Sequence, residues 1–135
     1  MGDRAREVKY CLDSWAVVAW LDEDEPAATR VEEVMSSERP LMSWINLGEV
    51  FYVVHRRESE REARRIVRQL RPRLTLDLPT EVRVLEAATI KAEHRIAHGD
   101  AFAVATAVAH DATLLTGDPE LLTANHDWPV EDLRS

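Results

Sequence analysis

VKYCLDSWAVVAW, residues 8–20, decides the fold. Val8 to Leu12 is short, apolar and bounded by charge, which suits an interior strand better than a helix. Asp13 then stands at the strand's carboxyl end. Ser14 is placed to N-cap a helix over Trp15–Trp20.

The same alternation continues outward. The acidic knot LDEDE (21–25) and Pro26 open a second helix ending near Ser36 and Ser37. Arg39–Met42 reads as a brief strand, and Ser43 caps a helix in which Leu47, Phe51 and Val54 recur at helical spacing, with Glu49 off that stripe. The Arg-rich segment continues that helix, with Ala63, Ile66, Val67 and Leu70 inward, until Pro72 ends it. Leu74–Leu76 is strand-like. A helix over 81–95 follows, with Val84, Leu85, Ala88 and Lys91 on one side. Gly99 breaks the run, Asp100 opens the Ala-rich helix 101–110, and Thr113–Thr116 is a strand ending near Gly117 and Asp118. Strands separated by helices predict a mainly parallel α/β sheet covered on both faces. Residues 1–135 read as a single domain. Ligands of such sheets bind beyond the carboxyl ends of the strands, where Asp13 and Asp118 emerge.

Four acids follow or interrupt apolar segments: Asp13, Glu49, Asp100 and Asp118. An ionised carboxylate is stable beside apolar side chains only when paired, hydrogen-bonded or bound to a cation. No Lys or Arg lies within four residues of Glu49 or Asp100, which leaves a long-range partner or a metal. Carboxylates and water suit Mg²⁺ or Mn²⁺. Zinc does not fit, because His94 and His98 lack both an H-E-x-x-H frame and a Cys partner. With 25 acids in the chain, ordinary caps, ion pairs and surface acids are the competing reading.

The formal charge of -8 opposes indiscriminate binding to nucleic acid. Its distribution is uneven: residues 55–73 hold eight of the 17 basic residues and three acids. Arg57, Arg61, Arg64 and Arg68 form one flank that could take a polyanion or be a solvated helix face. No segment approaches the roughly 20 apolar residues of a membrane span. The start MGDRARE lacks the apolar core of a signal peptide, so the cytoplasm is expected, and the lone Cys11 forms no internal disulfide.

Read in order, YCLDSWAVVA (10–19), SWINLGEV (43–50), AATIKA (87–92), IAHGDAFAVATA (96–107) and LLTGDPELL (114–122) resemble PIN-domain endoribonucleases, specifically the VapC toxin family of bacterial toxin–antitoxin pairs. The resemblance spans residues 8–133. It implies an α/β/α sandwich, Mg²⁺- or Mn²⁺-dependent cleavage of RNA, a homodimer and a cognate VapB-like antitoxin. Asp13, Glu49, Asp100 and Asp118 match the family acids, and Ser14 and Thr116 match the hydroxyl positions beside the first and last. Asp13 and Asp100 are then the strongest metal ligands, Glu49 helps fix metal or water, and Asp118 acts directly or through water. The implied reaction is hydrolysis of an RNA phosphodiester by metal-activated water, giving a 5′-phosphate and a 3′-hydroxyl. The expected substrate is a structured RNA such as a tRNA or ribosomal RNA loop.

Ser14 has two readings, a hydrogen bond near Asp13 or plain capping. Thr116 likewise supports phosphate or carboxylate, or closes a strand. Lys91, near the catalytic mouth by resemblance, contacts phosphate or lays its stem on the helix. Trp15, Trp20 and Trp44 are packing residues before they are base-stacking ones, and Trp15, Val18, Trp44, Ile45 and Tyr52 supply the apolar surface expected of a dimer. Two other functions compete. A non-catalytic RNA- or partner-binding domain leaves four intact acids unexplained. A metal-dependent phosphatase lacks its second carboxylate, since the chain reads Asp13-Ser14-Trp15 instead of D-x-D.

Overall fold

In the computed structural model, which describes residues 9–123 and 126–135, five parallel strands form one sheet in the order β3-β2-β1-β4-β5. They are β1 (Lys9–Leu12), β2 (Leu41–Ser43), β3 (Thr75–Asp77), β4 (Ala112–Thr116) and β5 (Val130–Asp132). The helices are α1 (Ser14–Leu21), α2 (Ala27–Ser37), α3 (Trp44–Arg57), α4 (Glu60–Leu70), α5 (Glu81–Glu93), α6 (His98–Ala109) and α7 (Pro119–Thr123). Val8, the MGDRARE stretch and Asn125 lie outside the described residues.

Pleating divides the core. Cys11 and Leu114, which are register partners, face one cluster with α5, α6 and α7. Leu12 and Leu115, the next pair, face the other cluster with α1 to α4. Adjacent strand residues point to opposite faces, so a parallel sheet buried on both sides reads as a continuous apolar run. Leu12 and Leu115 are fully buried, and truncating either to Ala would cost about 2–5 kcal/mol. The expected α/β/α sandwich is therefore present. Its Ala-rich α6 is buried from Gly99 and Ala101 through Ala107, with Phe102, Val104 and Thr106 among its buried side chains, because small side chains let it lie close to the sheet. Cys11 is buried beneath it, with its thiol pushed well above the usual range by desolvation.

Three local expectations are corrected. Ser14 is the first helical residue and not the cap; Asp13 holds that position, because its carboxylate accepts the Ala16 amide at 2.8 Å. The Arg-rich helix is not continuous. It breaks at Glu58, and Ser59 restarts it as α4 by accepting the Glu62 amide at 3.1 Å. On α5 the inward residue is Ala87, while Val84 and Leu85 face solvent.

Order reverses between β1 and β4: the chain builds outward through β2 and β3, then returns to β1's other edge for β4 and β5. A crevice opens beyond the carboxyl ends at such a reversal. Leu12 and Leu115 end the paired register there, directly before Asp13 and Thr116.

Candidate active site

Asp13 is 1% exposed, at the junction of β1 and α1. Thr116, itself buried, donates its hydroxyl to the second carboxylate oxygen of Asp13 and accepts the Asp118 amide at 3.0 Å. The hydroxyl of β4 therefore joins the acid of β1 to the acid that follows it. Asp118 in turn accepts the Glu120 amide at 2.9 Å, which starts α7. Gly117 lies between them, where a Cβ would collide with the Trp15 indole, so Trp15 packs against this turn and is not free to stack a base.

Asp100 arrives from the opposite side, in the first turn of α6, where backbone amides and the helix dipole favour negative charge. Burial pushes its carboxyl well above the ordinary range, as do the neighbouring Asp118 and then Asp13. Asp13 is pushed up to about 7, first by desolvation, against the Thr116 and Ala16 hydrogen bonds, with Asp118 and Glu49 adding repulsion. The four acids predicted from sequence thus share one electrostatic neighbourhood. A cation would relieve both burial and repulsion, and the all-oxygen donor set suits Mg²⁺ or Mn²⁺. Among the described residues, no three histidine, cysteine or acidic side chains converge closely enough to hold a metal as they stand, so a bound ion would require side-chain movement, water or substrate.

Glu49 sits on α3, directly against α6. Its carboxylate fills the space where a Cβ of Gly99 would stand. The Asn46 amide nitrogen donates to Glu49 Oε1 at 2.9 Å and to the Gly99 carbonyl at 3.0 Å. Asn46 was not among the sequence candidates. Its signal was available, since an Asn one helical turn before Glu49 interrupts the apolar stretch Trp44–Leu47.

The supporting residues divide. Thr116 lies at the centre. Ser14 is half-buried beside Asp13 and lines a cavity with Trp15 and Asp118. Lys91, for which phosphate contact and a stem laid on the helix were both open, donates its ammonium to the Ile96 carbonyl at 3.0 Å and ties down the connection between α5 and α6. On the arginine flank, Arg57 pairs with Asp22 at 3.0 Å and Arg64 with Glu60 at 2.9 Å. Among the described residues this leaves Arg61 and Arg68 without acid partners. Trp15, Val18, Trp44 and Ile45 pack against the core, so of the residues expected at a dimer surface only Tyr52 is strongly exposed. Among the described residues, the other large apolar side chains that are exposed are Leu78, Val82, Val84, Leu85 and Val108. No helix of the described residues is long and apolar enough to cross a membrane.

A PIN domain model matches residues 10–126. Curated proteins give no match. Among solved structures, VapBC2 from Rickettsia felis bound to a promoter DNA fragment is similar at TM-score 0.73 and 18% identity, over 93% of this chain and 98% of that one. VapBC-1 from nontypeable Haemophilus influenzae gives TM-score 0.72 and 20% identity over 95% and 100%. VapC20 from Mycobacterium tuberculosis, a Sarcin-Ricin loop cleaving toxin, gives 0.66 and 15% over 90% and 100%. These likenesses show a shared fold, while the family model covers most of the chain, and with the acids gathered at the sheet reversal it follows that the protein belongs to the PIN-domain family.

Proposed function

We propose that this protein is a divalent-metal-dependent endoribonuclease toxin of the VapC type, acting in the cytoplasm on a structured RNA and restrained by a VapB-like antitoxin. The observation that carries the reading is the Asp13 carboxylate, desolvated at the β1–β4 reversal with Asp118 and Glu49 close enough to raise it further. The hydrogen bonds from Thr116 and Ala16 offset only part of that burial, and a site for Mg²⁺ or Mn²⁺ would offset the rest.

Asp13, Asp100, Glu49 and Asp118 would hold the metal, Asp13 and Asp100 most directly. When bound, the cation neutralises charge on the phosphoryl oxygens and lowers the pKa of water. Thr116 fixes the Asp13 carboxylate, and Asp13 also starts α1, so it cannot swing from the site without uncapping a helix. The partly exposed Asp100 and Asp118 face the open side, where an RNA backbone arrives. Arg61 and Arg68, lacking acid partners in the described structure, are the flank's best phosphate contacts; Arg57 and Arg64 would first release Asp22 and Glu60.

The partner reading rests on a groove of about 310 Å³ between α3 and α4. Leu47, Phe51 and Val67 floor it, and Arg64, Arg68 and Arg71 rim it. Gly48 lines the same groove in mid-helix, where a Cβ would meet nothing within 4 Å. Gly there weakens α3 by about 0.5–1 kcal/mol relative to Ala and serves no internal packing. An amphipathic helix with an acidic margin fits the vacant space, the apolar floor and the guanidinium rim. A homodimer would draw on the exposed face of Val82, Leu85 and Val108.

The test is cleavage of structured tRNA and ribosomal RNA by purified protein, with Mn²⁺ or with EDTA after exhaustive metal removal, followed by mapping of 5′-phosphate ends. A metal-dependent cut in a narrow set of loops, absent from Asp13→Asn, is expected. Equal cutting in EDTA would overturn the metal mechanism. No difference between active and Asp13→Asn protein would instead favour a non-catalytic binding domain.

A further inference from the structure

Asn46 is fully buried, yet its carbonyl oxygen has no hydrogen-bond partner among the described residues. Both of its nitrogen's bonds go to the site: Glu49 Oε1 at 2.9 Å and the Gly99 carbonyl at 3.0 Å. Two acceptors fix the amide orientation, because exchanging oxygen and nitrogen would set an acceptor against both. A buried amide with one orphaned atom is a poor stabilising device, since an apolar residue of similar volume would avoid the desolvated oxygen. Stability therefore does not account for Asn46.

The connectivity accounts for it. Glu49 and Asp100 lie on different helices, and Gly99 is the residue immediately before Asp100. One amide group thus ties the Glu49 carboxylate to the backbone that carries Asp100. Gly99 completes the fixture from the other side, because its missing side chain leaves the notch that the carboxylate occupies. With the amide gone, the carboxylate could leave the notch for solvent and would no longer keep its spacing to Asp100.

We infer that Asn46 is a positioning residue, which sets the Glu49 carboxylate relative to Asp100 and so tunes metal affinity, through its hydrogen bonds to Glu49 and Gly99. This rests on reading Glu49 as part of the metal site. Outer partners of this kind change metal affinity or activity by about 10–100-fold when removed.

Mn²⁺ affinity is measured by calorimetry on metal-stripped full-length protein bearing Asn46→Leu, Asn46→Asp, Gly99→Ala, Glu49→Gln and the double change Asn46→Leu with Glu49→Gln. Asn46→Leu is expected to melt close to the parent and to bind Mn²⁺ about tenfold more weakly. Gly99→Ala, which evicts the carboxylate from the opposite side, should match that loss. The double change should bind no more weakly than Glu49→Gln alone, because a positioning residue has nothing left to position. In RNA cleavage, kcat should fall while KM holds. If Asn46→Leu fails to fold, Asn46→Asp and Gly99→Ala carry the comparison. Affinity unchanged in Gly99→Ala and the Asn46 variants, while Glu49→Gln weakens it, would overturn the role of Asn46 alone. Unchanged affinity in Glu49→Gln would overturn both the inference and the placing of Glu49 in the site.

Discussion

The Thr116 hydroxyl donates to Asp13 across 103 residues of sequence while receiving the amide of Asp118. One oxygen therefore orders two acids of the site. Thr116→Val keeps the shape and removes both bonds. Loss of about 1–3 kcal/mol in urea unfolding is expected, from the Asp118 amide left unpaired, together with roughly tenfold weaker Mn²⁺ binding. A variant equal to the parent in both would reduce Thr116 to a strand-end residue.

Asp13→Asn and Asp100→Asn should lose cleavage by about a hundredfold or more, the equivalent of several kcal/mol of charge stabilisation. Asp100→Asn should also raise the melting temperature of the metal-free protein, because it removes a repelled, half-buried charge. Asp13→Asn should gain less, since the carboxylate it replaces also caps α1. Calorimetric melts in EDTA separate the two.

The metal-free protein should become less stable as pH rises from 5 to 8. Asp13 titrates near 7 when folded, mainly through burial, and near 4 when unfolded. The folded state therefore holds its proton longer, and that contribution is complete below about 4 and lost as pH passes 7. Glu32 and Asp77, lowered by their hydrogen-bonded partners despite some burial, act oppositely, but below this window. Saturating Mn²⁺ should flatten or reverse the trend, as metal replaces the proton. Melts that stay level across this range in EDTA would refute it.

Replacing Arg61 and Arg68 together with Gln should weaken RNA association and lower its salt slope by about one unit per lost contact. Arg57→Gln should do less to the slope, because Asp22 already occupies that guanidinium. Filter binding over a salt series gives both numbers. Equal slopes in all three proteins would move the flank from RNA to the partner.

Self-association should depend on the exposed face of α5 and α6. Leu85→Glu, on a side chain 60% exposed, should shift the light-scattering mass toward monomer without lowering the melting temperature. Ile45→Ala, on a residue packed against the core, should lower stability first. A parent that is monomeric across micromolar concentrations would remove the dimer.

The sheet, and the standing of Asp13 and Asp118 at its carboxyl end, were legible because an acid directly follows each apolar run in VKYCLDS and TLLTGD. The alanine content of α6 also showed that it packs closely against the sheet. What the sequence hid was direction. Periodicity placed Val84 and Leu85 on one side of α5, but which side meets the sheet depends on Ala87 fitting against the close-packed α6. The cap of α1 was displaced by one residue because Asp13 serves strand end, cap and site together. The two readings of Lys91 could not be separated in sequence, because the Ile96 carbonyl that its ammonium meets is brought there by the turn after α5.

Pairing β1 with β4 also has a temporal meaning. Asp13 is among the first parts of the site to leave the ribosome, yet Thr116 and Asp118 are made about a hundred residues later. Chains grow at roughly 5–20 residues per second, so for some seconds the nascent molecule carries half a pocket and no bond between Thr116 and Asp13. Until β4 docks, the order of synthesis keeps the candidate site's acids apart. On the proposed reading, cleavage could begin only once the sheet closes, and a restraining partner would be needed from that moment and not before.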